Sequence, residues 1–185
     1  MPVPTIISHS LAAVALGACY PERKLPARFW ILAALCAALP DADVFGFALG
    51  FRYDDLLGHR GLTHSLFFAL ILGFLIVILF FSNIEKFTKA WWMLVAFFFI
   101  ATASHGFLDA LTDGGLGVAF FAPFHNERYF FPWRPIEVSP LSLGRFLSSR
   151  GVEVMLSEFV WIWIPCALLA LGAYGFRKRL RAENT

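Results

Sequence analysis

Charge is what this sequence has least of. Only 15% of its 185 residues are Asp, Glu, Lys or Arg, and the formal charge is +2. The basic residues fall in short clusters between apolar runs, which excludes a nucleic-acid-binding face and gives no hold for a strongly acidic partner. Cysteine is nearly absent as well. Cys19, Cys36 and Cys166 lie within or at the ends of apolar segments and never as CxxC. A zinc knuckle or dithiol redox motif is thereby excluded, and the three read as packing residues. The first residues lack the basic stretch and small-residue cleavage site of a secretory signal, so the N-terminal apolar run with its His9 is expected to stay in the mature chain. No internal repeat is visible.

What is present is apolar: 59% of residues are hydrophobic and the mean hydropathy is +0.70, too high for an ordinary soluble domain of this length. A hydrocarbon core about 30 Å thick needs roughly 20 apolar helical residues. Five runs qualify as candidates: Val3 to Tyr20, Ala27 to Gly50 interrupted at Pro40, Leu62 to Phe81, Trp91 to Leu111, and Phe159 to Phe176 with a kink expected at Pro165. Of these, Leu62 to Phe81 is the least interrupted. The fold class that follows is an all-α, polytopic membrane helix bundle of about five segments. It forms a single integral-membrane domain over residues 1–185, in which 113–158 is a long extracytoplasmic segment with interfacial aromatics.

Lysine and arginine are retained in cytoplasmic loops. Arg23, Lys24 and Arg28, then Lys86 and Lys89, then Arg177, Lys178, Arg179 and Arg181 all fall on one side of a five-span chain. This predicts a cytoplasmic C-terminus, with the N-terminus and the loops Phe51 to Gly61 and Thr112 to Glu158 outside. Arg60, Arg128, Arg134, Arg145 and Arg150 lie on that outer side too, but the last four belong to a long segment where the rule counts for less.

Ionisable groups at membrane depth cost about 2.5–3.5 kcal/mol each on insertion scales, so those that occur are functional candidates. At 1.5 Å per residue from the cytoplasmic ends, His9 lies about 16 Å up the first span, Asp41 about 21 Å up the second and His105 about 22 Å up the fourth. His59 and His64 flank the outer start of the third. Four spans thus deliver metal-ligand residue types to the outer half of the bilayer. His105 and Asp109, four apart, share one helix face and can ligate one ion or bridge two. The proline of Leu39-Pro40-Asp41-Ala42-Asp43 is expected to break the second span, letting Asp41 and Asp43 both aim inward; Asp41 is equally suited to cap the next helical piece. In His59-Arg60-Gly61-Leu62-Thr63-His64-Ser65 the glycine permits a turn that points both histidines at the same cavity; the alternative is a polar interfacial cap with Arg60 on lipid phosphates.

Imidazole and carboxylate donors without thiolate suit zinc first, with manganese or magnesium as alternatives. Four histidines and three aspartates exceed what one tetrahedral ion uses, so one to two ions are expected. Asp43 or His59 is then a general base or an orienting partner, and Arg60 and Arg134 are candidates to hold a phosphate. Tyr129-Phe130-Phe131-Pro132-Trp133 suits a lipid–water boundary, as an anchor or as the entry for a lipid headgroup.

Asp41-x-Asp43 after Leu-Pro, His59-Arg-Gly-x-Thr-His64-Ser, and His105-x-x-Leu108-Asp109-x-x-Thr112 followed by Ala-Pro-Phe together resemble the YdjM-like, LexA-regulated family of inner-membrane proteins assigned as metal-dependent hydrolases. The resemblance runs from His9 to about Leu143. More distantly, the order of these residues is similar to the zinc-dependent phospholipase C and P1 nuclease superfamily, which cleaves phosphodiesters. That likeness implies ligand roles for His9, Asp41, His64, His105 and Asp109, while His125 and Glu137 depart from its spacing for a third metal. Together these readings imply a multi-pass bacterial inner-membrane hydrolase acting on a phosphoester of a lipid or lipid-linked substrate. The rivals are a transporter relaying ions through intramembrane His and Asp, which needs polar groups reaching both faces, and a structural protein stapled by a metal.

Overall fold

The computed structural model describes residues 4–22, 24–139 and 148–183. Val3, Arg23, Leu143, Arg145 and the side chain of Arg181 lie outside the described residues. Helix α1, Ile6–Ala18, opens on Thr5, whose hydroxyl accepts from the Ser8 amide. Helix α2, Ala27–Ala38, passes without a gap into a 3₁₀ stretch, Leu39–Leu49. Helix α3, Leu66–Phe80, is capped by the Ser65 hydroxyl, and α4, Lys89–Ala110, by the Thr88 hydroxyl. Helix α5, Ser149–Glu158, runs through a π turn, Phe159–Trp163, into α6, Ile164–Glu183. Among the described residues there are no strands, only isolated bridges pairing Thr112 with Ile136 and Val118 with Tyr129.

Three helical stretches are long and apolar enough to cross a membrane, Ala27–Leu49, Lys89–Ala110 and Ser149–Leu180, while α1 and α3 are apolar but shorter. The molecule is a helical membrane bundle. The run from Leu62 to Phe81, the least interrupted in sequence, yields a helix of only 15 residues, about 22 Å long, because Leu62–His64 is a separate 3₁₀ turn. Irregular backbone at such depth is tolerated where protein covers it. His64 and Ser65 are indeed buried.

The expectation at Pro40 needs correction. Pro40 narrows the second span to 3₁₀ winding rather than breaking it, and the disturbance near Pro165 falls one turn earlier. Proline cannot donate to the carbonyl four residues before it, and the chain widens there: the Ile164 amide reaches back five residues to Phe159.

Helix α4 is central, packing on α1, α2 and α3, while α1 also packs on α2 and α6. The α3–α4 crossing is close because position 73 is glycine: a Cβ there would lie 3.0 Å from the Phe99 nitrogen and the Val95 oxygen. Small residues at crossings are how membrane helices gain van der Waals contact without a hydrophobic drive. One end of the bundle interior is aromatic, with Phe29 stacked on Phe97 at 4.4 Å and Tyr20, Phe81, Trp91 and Phe98 around them. The other end is polar.

Candidate metal centre

The polar end collects the N-terminal part of α1, the 3₁₀ continuation of α2, the approach to α3 and the C-terminal part of α4. His9, His59, His64, Arg60, His105 and Asp109 are all buried there, and Asp41 is 7% exposed. One ligand atom each from Asp41, His64, His105 and Asp109 lie within 4.8 Å of one another. His64 Nε2 is 3.0 Å from His105 Nε2, 3.2 Å from Asp109 Oδ2 and 3.7 Å from Asp41 Oδ1. His105 Nε2 is 3.3 Å from Asp41 Oδ1 and 3.7 Å from Asp109 Oδ2. A tetrahedral ion with bonds of about 2.0–2.1 Å spaces its ligand atoms about 3.3–3.4 Å apart. These separations bracket that edge.

The outer nitrogens fix which atoms face inward. His105 Nδ1 lies 2.7 Å from the Ala37 carbonyl, which can only accept, so Nδ1 carries the proton. The Thr63 hydroxyl donates to Asp43 Oδ2 at 2.7 Å, leaving its lone pairs to accept from His64 Nδ1 at 3.1 Å. In neutral rings both Nε2 atoms then carry lone pairs, and at 3.0 Å these repel unless a proton or a metal cation sits between them. The Asp41 carboxylate points the same way. Among the described residues no hydrogen bond reaches either oxygen of Asp41, and a buried carboxylate so left costs several kcal/mol, whereas Asp109 has the Arg60 guanidinium beside it at 3.1 Å. The donor set and its spacing fit a divalent cation.

Asp41 and Asp43 grip His64 from opposite sides. In 3₁₀ winding they diverge by about 120°, so Asp41 faces Nε2 while Asp43 lies 3.2 Å from Nδ1. Asp43 is also the acceptor for His59 Nδ1 at 2.6 Å and for the Arg60 amide at 3.2 Å. It holds other groups in place. His59 keeps Nε2 buried and without a hydrogen bond among the described residues. Its ring meets Tyr53 edge-on at 5.3 Å, and burial raises the Tyr53 pKa so that the phenol stays neutral. Asp43, His59 and His64 form a second group able to hold an ion.

His9 stacks on His105 at 3.7 Å and sends Nε2 to within 3.6 Å of Asp109 Oδ1. It stands beside the four-atom set rather than within it.

Arg60 corrects its sequence reading. It is fully buried, with Nε 3.1 Å from Asp109 Oδ2, Nη1 donating to the Gly114 carbonyl at 2.9 Å and Nη2 to the Thr112 hydroxyl at 3.0 Å. Committed to these protein acceptors, its guanidinium fixes Asp109 and serves neither a substrate phosphate nor a lipid phosphate. Arg60, not Gly61, takes the left-handed conformation, with φ 62°. Gly61 is needed because a Cβ would lie 2.3 Å from the Leu56 carbonyl.

Arg134 is exposed and lies 4.8 Å over the Phe130 ring. His125 is exposed and Glu137 pairs with Arg150 at 2.7 Å, so neither joins a ligand group among the described residues. Sequence reasoning missed Glu158. Buried at the end of α5, it accepts from the Thr5 amide and hydroxyl, each at 2.6 Å, and from the Ser8 hydroxyl. It thereby ties α5 to the turn carrying His9. The available signals were a glutamate directly before an apolar run and a Thr-x-x-Ser start to α1.

Residues 4–180 match the YdjM inner membrane protein family. Inner membrane protein YbcI of Escherichia coli (strain K12) is 36% identical over 177 residues, covering 96% of this chain and 100% of that protein. No solved structure matches, and the likeness to the phospholipase C and P1 nuclease superfamily gains no support from these matches. With a family match nearly end to end, a relative covered over its full length and a bundle of long apolar helices, this chain belongs to the YdjM inner membrane protein family and is a protein of the inner membrane.

Proposed function

We propose that this protein is a membrane-bound, metal-dependent hydrolase acting on a phosphoester of a lipid or lipid-linked molecule, with its site toward the periplasm. The observation that carries the reading is the convergence of one ligand atom each from buried Asp41, His64, His105 and Asp109 within 4.8 Å of one another, with the two Nε2 atoms 3.0 Å apart. Asp41, His64, His105 and Asp109 would hold the ion, with zinc the first choice for this donor set and manganese or magnesium the alternatives. Such an ion acidifies a bound water and polarises an ester oxygen.

The chain's own residues do the rest. Ala37 and Thr63 hold the two ligand imidazoles in the tautomer that turns Nε2 inward, and Arg60 fixes Asp109 through its guanidinium. Asp43 accepts a hydrogen bond from His59 Nδ1–H, which would leave Nε2 of that ring to accept a proton from a water in the site. His9, stacked on His105, is the candidate for widening the site to a second ion through Asp109 Oδ1.

A transporter needs polar groups running on toward the opposite face. The far end of the bundle is instead filled by Tyr20, Phe29, Phe81, Phe97 and Phe98. Metal analysis of the purified full-length chain tests the proposal, with His105→Ala and Asp109→Ala alongside. About one or two ions per chain are expected, falling to near none in either variant, together with loss of activity on a phosphoester panel. Unchanged metal content would remove the site; metal without hydrolysis would leave the structural staple.

A further inference from the structure

Helix α3 has 15 residues and is about 22 Å long, short of a hydrocarbon core about 30 Å thick. Its outward side is lipid-facing, with Phe67, Leu70, Ile71 and Leu75 all exposed. Above its first turn lies the stretch 118–124, Val-Ala-Phe-Phe-Ala-Pro-Phe, which has no polar side chain. Two bonds of 3.0 Å pin it there, from the Leu66 amide to the Phe120 carbonyl and from the Ala119 amide to the Arg60 carbonyl. Val118, Ala119 and Ala122 are fully buried on its inner side, whereas Phe121 is 51% and Phe124 73% exposed. The Phe124 ring meets Phe67 edge-on at 5.5 Å, so the apolar face of α3 continues onto the loop.

We propose that residues 118–124 form a re-entrant loop immersed in the leaflet on the cluster side, with Phe121 and Phe124 among its acyl chains. The loop then supplies the roughly 8 Å of lipid-facing wall that α3 lacks. Acyl chains are the occupant because this surface continues one that α3 already gives to lipid. The backbone meets the condition set by a medium that offers no hydrogen bonds to irregular chain. The amides of Val118, Ala119, Phe120, Ala122, Phe124 and His125 all donate to backbone carbonyls, and the carbonyls of residues 118–121 all accept. Pro123 has no amide proton. Among the described residues the groups without a backbone partner are the Phe121 amide and the carbonyls of residues 122–124. They adjoin exposed His125, Asn126 and Glu127, where headgroups and water take over. On its inner side the loop screens the cluster: a Cβ on Gly106, next to His105, would lie 2.9 Å from the His64 carbonyl and 3.4 Å from Phe120 and Val118. Lipid tails are thereby kept off His64 and His105 on this side. The immersion holds whichever face of the membrane is cytoplasmic, and whether or not the cluster hydrolyses an ester.

Nitroxide depth measurement tests the immersion. The full-length chain with Cys19→Ala, Cys36→Ala and Cys166→Ala carries, in turn, a nitroxide on Phe124→Cys, Asn126→Cys or Leu75→Cys, and is reconstituted in vesicles of phosphatidylethanolamine and phosphatidylglycerol. Collisions with oxygen, which concentrates in lipid, are compared with collisions with a water-soluble nickel chelate present on both sides of the vesicles. At Phe124 oxygen collisions should exceed chelate collisions several-fold, as at Leu75 within α3, and the order should reverse at Asn126. Phe121→Cys is read in the same way where Phe124→Cys does not fold. Chelate collisions at Phe124 equal to those at Asn126 would put the loop in water and overturn the proposal. Few collisions with either reagent would overturn it too, because a second copy of the chain, not lipid, would then cover this face.

Discussion

Asp43 is the residue on which the geometry of the polar end turns. One carboxylate accepts hydrogen bonds from His59 Nδ1–H, the Thr63 hydroxyl and the Arg60 amide, and flanks His64 Nδ1 at 3.2 Å. Partners of this kind set ring orientation and ligand basicity, and their loss typically costs 10- to 100-fold in metal affinity or activity. Asp43→Asn keeps the shape while losing charge and half its accepting capacity, so metal affinity should fall about 10- to 100-fold, as measured by chelator competition; an unaltered affinity would show that Asp43 does not support His64. Arg60 poses the opposite case. It is the fixed cation beside Asp109, both fully buried, and removing one partner of a buried pair costs about 3–5 kcal/mol because the other is left uncompensated. Arg60→Met should lose about that much in thermal unfolding of the metal-free protein. The loss should be smaller with metal added, because a bound cation neutralises the same carboxylate. Equal losses with and without metal would separate Asp109 from the ion.

At the scale of elements, the joint between α1 and α5 is what sequence could not reveal. Glu158 and Thr5 are 153 residues apart, and no local pattern marks a contact created by packing. Bonds to a charged acceptor are worth about 1.5–3 kcal/mol each, and less between membrane helices. Glu158→Gln should destabilise the fold by about 1–3 kcal/mol and speed hydrogen exchange in the first turns of α1; exchange unchanged around Ser8 would mean that Glu158 does not hold the helix. By contrast His105 and Asp109 were legible because the four-residue repeat of one helix face puts them together whatever surrounds it. The five apolar runs were legible from hydropathy. The lengths of α1 and α3 were not, since Leu62 is as apolar inside a 3₁₀ turn as inside an α-helix. Arg60 misled for a related reason: arginine chemistry suits a phosphate and a buried aspartate equally, and only the fold, which aims Thr112 and Gly114 at it, decides.

For the whole molecule the open quantity is direction across the membrane. The His/Asp cluster sits at the start of α1 and α3 and near the end of α4, whereas Arg28, Lys89 and Arg177 sit at the opposite ends of α2, α4 and α6. That end is tied together: Arg177 donates to the carbonyls of Ala18 and Tyr20, and Arg28 to Asn83. Three arginines at the cluster end are engaged within the fold, while Arg52 and Arg134 are exposed. Arg60 is buried, Arg128 donates to the carbonyls of His59, Tyr53 and Asp55, and Arg150 pairs with Glu137 and Glu153. Short basic loops near helix ends dominate orientation, while long segments count for little. The basic end should therefore face the cytoplasm and the cluster the periplasm. A C-terminal fusion to a reporter that works only in the cytoplasm should be active, and one to a periplasm-dependent phosphatase inactive. The reverse pattern would turn the His/Asp cluster, and the proposed site with it, to the cytoplasmic side.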